Sequence, residues 1–312
     1  VTPETTLTKL ARRAVVLLLL LGVAVLLLPA ERTPRTGQWF ARLGVEPRVA
    51  RIGRFDVRYV RKGQGPSVIL IHGLASSIYS WADVIGPLSE RFDVIALDLP
   101  GFGASSKPDD LAFGDYEPTL VGLMAALDVP KAHFVGNSMG GAVSLLMAAR
   151  ERDRVDHVVI LDSAGFNLKP GERPFLARLL ASRAAGPLSE RLPVKRLLTR
   201  LFLKRLIRDE TRITGERVDE YVAPFLSPGA LASARSLLLS RVDEDFEKDL
   251  ASIQAPTLVL WGRFDPWLPL SHADRFVAEI KGARKVVLET GHMPQEEKPL
   301  EVARLIGDFL VS

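Results

Sequence analysis

Short runs rich in β-branched residues recur along the chain with room for one helix between them, and this alternation limits the possible folds more than any other feature. The runs are Phe55–Val60, Ser67–Ile71, Phe92–Asp98, Ala132–Gly136, His157–Asp162, Thr257–Gly262 and Lys285–Glu289. Continuously apolar strings such as SVILI and HVVILD suit strands that are buried on both faces. Ile78–Arg91, Thr119–Leu127, Met139–Arg150 and Leu270–Ile280 lie between them, each long enough for a crossover helix. The expected architecture is α/β, a doubly wound and mostly parallel sheet. Over residues 165–250 the alternation stops, and the chain turns Leu- and Arg-rich and helical in pattern. That stretch is expected to form a helical cap, inserted before the last two strands and lying over the sheet's carboxyl edge. The core then falls into two parts, residues 48–164 and 251–312.

With 47% hydrophobic and 25% charged residues, the composition excludes wholesale disorder. The chain has no cysteine, which removes thiolate zinc sites, iron-sulfur clusters, disulfides and a cysteine nucleophile. Lys and Arg number 41 against 37 Asp and Glu, a mild basic excess whose placement matters more than its size.

Residues 1–31 stand apart from the rest, with 32–47 as a linker. Ala14–Ala30 reads AVVLLLLLGVAVLLLPA, without a polar face and preceded by Lys9, Arg12 and Arg13. A helix of that length reaches about 26 Å against roughly 30 Å of hydrocarbon, a borderline membrane span. A cleaved signal peptide shares this layout, but Leu28-Pro29-Ala30 is a poor cleavage site, so a retained anchor is favoured. Arg32, Arg35, Arg42 and Arg48 follow the run, so flanking charge does not decide the orientation. The signal-like order leads to the expectation that the domain after it lies outside the cytoplasm, or in the secreted fraction if the segment is removed. Within the cap, Val194–Arg208 is a basic amphipathic helix, with Leu197, Leu198, Leu201, Phe202 and Ile207 at helical spacing. Its apolar face is expected to pack on the core, and the competing reading rests it on anionic lipid.

Gly136-Asn137-Ser138-Met139-Gly140 joins a strand directly to a helix, the context a G-x-S-x-G nucleophile elbow requires. A serine raised on so sharp a turn has a strained backbone and tolerates almost no side chain beside it. Five histidines could supply its base. His133 and His157 lie near strand starts, away from the edge where open α/β sheets do their chemistry; His272 opens a helix, and His72 ends a strand at a His-Gly turn. His292, in a loop past the last strand, remains. Asp98, Asp162 and Asp265 sit where an orienting acid must. Asp98 belongs to a turn, Asp265 is preferred, and Asp162 is the reserve. Backbone N–H groups of Met139 and Leu74 are the expected oxyanion donors.

The motifs together resemble the α/β-hydrolase superfamily over Arg48–Leu310: His72-Gly73, DLPGFGAS at Asp98–Ser105, GNSMGG at Gly136–Gly141, GRFD at Gly262–Asp265 and TGHMPQEEKP at Thr290–Pro299. The order serine, acid, histidine is the one this superfamily uses. The apolar N-terminal segment resembles that of membrane-anchored monoacylglycerol lipases, which implies a lipophilic acyl ester as substrate and lipid as partner. GNSMGG is similar to hydrolases of meta-ring-fission products, which break carbon-carbon bonds, but Leu74-Ala75-Ser76-Ser77 replaces their longer Gly-rich loop. A non-catalytic ligand-binding protein of the same fold is the third reading. No metal or organic cofactor is expected. No nucleic-acid partner is expected either, because the basic cap helix carries no interleaved stacking aromatics.

Overall fold

The computed structural model describes residues 34–166, 195–239 and 246–312. The predicted anchor at Ala14–Ala30 therefore lies outside the described residues, as do the cap residues 167–194. Among the described residues, no helix is long and apolar enough to cross a membrane.

The strands are β1 (Arg48–Ile52), β2 (Phe55–Lys62), β3 (Ser67–Ile71), β4 (Asp93–Leu97), β5 (Ala132–Asn137), β6 (Val155–Leu161), β7 (Thr257–Gly262) and β8 (Arg284–Leu288). They form one sheet in the order β1-β2-β4-β3-β5-β6-β7-β8. The β1–β2 and β2–β4 pairs are antiparallel and all later pairs are parallel, so the sheet is mostly parallel as expected. Order reverses at β3, which sits between β4 and β5. The carboxyl ends beside such a switch point form the crevice where this architecture places its ligands.

Alternate residues of each central strand face opposite layers. Ile69, Ile71, Phe134, Ile160 and Val259 point to one layer, covered by α3 (Tyr116–Ala126), α4 (Met139–Arg150) and α8 (Leu270–Glu279). Val68, Leu70, Val135, Val159 and Leu260 point to the other, covered by α2 (Ala82–Leu88) and α9 (Pro299–Leu310). Burial on both faces is the physical reason these strands read as continuous apolar runs.

β1 was not among the sequence-predicted strands. Its RVARI is mostly exposed, an edge strand with no apolar signal to read. The linker at 32–47 also contains structure: α1 (Gln38–Leu43) buries Trp39 against the core and ends at Gly44 in the left-handed conformation.

The described cap lies between β6 and β7 as expected and contains α5 (Lys195–Leu206), α6 (Gly215–Val222) and α7 (Ala230–Leu239). The expectation for α5 needs correcting. Leu203, Leu206 and Ile207 face the core, but Leu197, Leu198 and Leu201 are 56%, 52% and 54% exposed. Of the residues read as the apolar face only Ile207 is fully buried, and the side that docks is the one carrying Leu203 and Leu206.

Candidate active site

Ser138 sits between β5 and α4 with φ 54° and ψ −118°, the strained conformation the elbow predicts. Its small neighbours are sterically required. A Cβ on Gly136 would lie 2.0 Å from the Gly140 carbonyl oxygen, and one on Gly140 would lie 2.2 Å from that of Ile71. Met139 opens α4, where the first N–H groups of a helix have no partner within the helix and carry its positive dipole end. Leu74 lies in a tight turn closed by the Ser76 N–H on the Gly73 carbonyl, with Ala75 at φ 62°. Gly73 brings this turn against the elbow, since a Cβ there would be 3.1 Å from Ser138 Cβ. Ser138, Leu74 and His292 line one pocket, together with Asn137, Trp267 and Met293.

His292 follows β8 in a loop held from two sides. Its N–H donates to the Leu206 carbonyl of the cap at 2.8 Å, and its own carbonyl accepts from Asn137 Nδ2 at 3.1 Å. His292 Nδ1 lies 2.7 Å from Asp265 Oδ2, which leaves Nε2 as the nitrogen available to the pocket. Asp265 Oδ1 accepts the N–H groups of Trp267 and Leu268 at 2.7 and 3.1 Å. Burial raises the Asp265 pKa, but the His292 charge and hydrogen bond and the two N–H donors outweigh it, so the carboxyl sits below its ordinary value. The Trp267 ring packs 5.3 Å from the imidazole, restricting its swing.

Asp162, the reserve acid, is completely buried beside this pair and has φ 42°. One of its oxygens accepts the Gly262 N–H at 2.9 Å, while its other has no donor. Burial, then the neighbouring Asp265 charge, raises its pKa well above the ordinary carboxyl range. The two neighbouring carboxyls are thus pushed in opposite directions, Asp162 toward its protonated form and Asp265 toward its ionised form, as two close carboxyls are when only one can hold a charge cheaply. Asp162, Asp265 and His292 each offer a ligand atom within 4.8 Å of the others, close enough to hold a cation. The direct Asp265–His292 contact already accounts for that closeness.

The remaining candidates fall where the sequence put them. Asp98 is a turn residue, its carboxylate accepting from the Ile78 and Ala104 N–H groups and from Arg58 Nε. His72 is buried and bonds the Gly73 carbonyl and the Leu99 N–H, tying the two loops together; burial lowers its pKa. His133 of β5 and His157 of β6 pack with ring centroids 5.0 Å apart and planes tilted by 60°, and His272 packs on Phe166. Sequence reasoning missed Asn137 as the clamp on the His292 loop, Trp267 as its packing partner, and Ser76 and Tyr221 as pocket walls. Asn137 lay inside a motif read for its serine. Tyr221 carried no signal, because only folding brings α6 over the sheet edge.

Residues 66–299 match the family model described as alpha/beta hydrolase fold. The chain belongs to that family. The curated relatives of this α/β-hydrolase include 2-hydroxy-6-oxo-6-phenylhexa-2,4-dienoate hydrolase of Comamonas testosteroni, 34% identical over 282 residues that cover 82% of this chain and 91% of the relative. Among solved structures, a membrane phospholipase A described as a bacterial virulence factor is similar at TM-score 0.71 and 26% identity, over 97% of this chain and 98% of its own. A meta-cleavage product hydrolase of Pseudomonas fluorescens IP01 is similar at TM-score 0.71 and 26% identity, over 86% and 98%. The α/β-hydrolase is accordingly an enzyme, a hydrolase whose relatives act on small molecules.

Proposed function

We propose that this hydrolase cleaves carboxylic esters with lipophilic acyl chains, such as monoacylglycerols, through an acyl-enzyme on Ser138. The observation that carries this reading is the joint placement of Ser138 and His292 in one pocket, with His292 Nδ1 held 2.7 Å from Asp265. Ser138 Oγ attacks the ester carbonyl, and its proton passes to His292 Nε2 and on to the departing alkoxide, releasing the alcohol. Water then attacks the acyl-enzyme with His292 again as base, the acid leaves, and Ser138 recovers its proton. Asp265 fixes the imidazole tautomer and stabilises the imidazolium. The N–H groups of Leu74 and Met139 receive the oxyanion, each contributing about 3 kcal/mol in the transition state. Phe202, Leu206, Trp267 and Met293 form an apolar wall suited to the acyl chain. No metal or organic cofactor enters the scheme.

In the same proposal, the enzyme works at a membrane with its catalytic domain on the extracytoplasmic side, retained by Ala14–Ala30. The exposed Leu197, Leu198 and Leu201 support a lipid contact, on a helix that carries basic residues and no acidic one. So does the likeness to a membrane phospholipase over nearly the whole chain.

The test is hydrolysis of a graded series of 4-nitrophenyl esters and monoacylglycerols by the full chain, with Ser138→Ala as blank. An acyl-length optimum that vanishes in the variant is expected. Rates that ignore both chain length and Ser138 would sink the ester reading. The identity to a dienoate hydrolase favours a second reading, carbon-carbon cleavage by the same residues, and turnover of a vinylogous diketone in preference to every ester would establish it.

A further inference from the structure

Besides its apolar residues, the pocket lining contains two hydroxyls the ester mechanism does not use. Ser76 belongs to the turn after β3 and Tyr221 to α6; both line the pocket and both are buried. Ser76 Oγ lies 3.2 Å from Tyr221 Oη, across 145 residues of sequence. Tyr221 Oη in turn makes a short hydrogen bond to Glu296 Oε1, on the helical turn after the His292 loop. Glu296 is 1% exposed in its side chain and pairs with Arg217 Nε of α6 at 2.7 Å. Segments from the first core part, the cap and the last loop thus converge on one buried chain of polar groups.

The proton directions in this chain follow from its far end. Burial pushes the Glu296 pKa up, while the Arg217 guanidinium 2.7 Å away opposes that shift and favours the carboxylate; a carboxylate only accepts, so the phenol proton points to Glu296. With its own proton so committed, the phenol oxygen is left to accept from Ser76 Oγ, 3.2 Å away. Both hydroxyl protons are committed away from the cavity, and Ser76 Oγ presents lone pairs to it. A buried acceptor left without a donor costs free energy, so this corner is complementary to a ligand group that donates a hydrogen bond and unfavourable to an alkyl or ether group. The apolar wall suits the acyl chain of a lipophilic ester, and the polar part left over is its alcohol.

We infer that the Ser76–Tyr221 pair is a subsite for a free hydroxyl on the alcohol portion of the ester, with Glu296 and Arg217 setting its polarity. The inference rests on the ester-hydrolase reading and adds to it the residues that would recognise the free hydroxyl of a polyol monoester and disfavour a simple alkyl ester.

The experiment compares kcat/KM for glyceryl monohexanoate and ethyl hexanoate, both below their aggregation concentrations, in the full-length enzyme. The wild type is expected to prefer the glyceryl ester by about tenfold, the worth of one well-placed buried hydrogen bond. Ser76→Ala should bring the ratio near one, and Ser76→Thr, which keeps the hydroxyl, should largely restore it. Glu296→Gln supplies an amide donor that can reverse the proton chain, so the ratio should fall although every pocket-lining side chain is kept. A wild-type ratio near one, or a ratio unchanged in both Ser76→Ala and Glu296→Gln, overturns the subsite while leaving the esterase intact. If Ser76→Ala does not fold, the wild-type and Glu296→Gln ratios still decide. Turnover of neither ester by the wild type defeats the ester reading and the subsite with it.

Discussion

On the sheet side of the pocket, Ser138, Asp265 and His292 stand on backbone that neighbouring strands and turns hold in place. The Ser138 N–H donates to the Leu161 carbonyl at 2.9 Å and the Phe264 N–H to that of Thr290 at 3.0 Å, while steric contact fixes the elbow glycines. On the cap side, α5 and α6 bury Leu203, Leu206, Val218, Tyr221 and Val222 in the core, and the segment that joins them is tied to the His292 loop. The Asp209 N–H donates to Glu297 Oε2 at 3.1 Å, Arg212 Nε to the Glu296 carbonyl at 2.8 Å, and the His292 N–H to the Leu206 carbonyl. One side tolerates no displacement. The cap bears on the same histidine through one backbone hydrogen bond and side-chain ties to Glu296 and Glu297, so chemistry and selectivity are drawn from differently built regions.

The largest expected effect separates the two buried acids of the sheet side. Asp265→Asn should lower kcat about 10⁴-fold by supplying the wrong imidazole tautomer, whereas Asp162→Asn should keep kcat within about tenfold. The reverse result, in steady-state kinetics on one ester, would move the orienting role to Asp162.

Next in size is a pair of glycine substitutions. Gly136→Ala drives a methyl into backbone and should cost about 4 kcal/mol or more in urea unfolding. Gly215→Ala, at the start of α6 with nothing within 4 Å of the added Cβ, should be neutral or stabilise by about 0.5 kcal/mol. Equal costs would erase the contrast between core and cap.

A smaller effect is a pH slope. The raised Asp162 pKa means the native state keeps a proton that the unfolded chain releases near its ordinary carboxyl pKa. Stability therefore falls by up to about 1.4 kcal/mol per pH unit between the unfolded and folded pKa values. Asp265, whose pKa is lowered, contributes the opposite sign, and its share is lost as pH falls through its folded pKa. Asp162→Asn should thus gain on the wild type as pH rises, in denaturation series from about pH 5 to 8. A pH-independent difference would mean that Asp162 is ionised in the fold.

The smallest expected change in stability is at the exposed cap surface. Leu201→Ser should alter unfolding free energy by less than about 0.5 kcal/mol. It should nonetheless weaken sedimentation with phosphatidylglycerol vesicles when measured against Leu203→Ser, which also disturbs packing. Vesicle binding indifferent to Leu201 would leave α5 as a solvated helix.

The sheet was legible because its parallel strands are buried on both faces, which writes them as unbroken apolar runs; Ser67–Ile71 and Thr257–Gly262 were read to the residue. The elbow, the His292 loop and the Asp265 loop were legible because each is a local motif at the end of such a run. Edge strand β1 was not, since the mostly exposed RVARI obeys no apolar rule. Helix α5 was read as a helix but given the wrong buried side, because the periodicity of an amphipathic sequence does not say which part of a broad apolar stripe finds a partner. The tertiary structure alone decided the opposite pKa shifts of Asp162 and Asp265 and the polar chain from Ser76 to Arg217. Local sequence determines what each residue can donate or accept. Whether it meets a partner depends on packing between segments far apart in the chain, and that is settled only when the cap closes on the sheet.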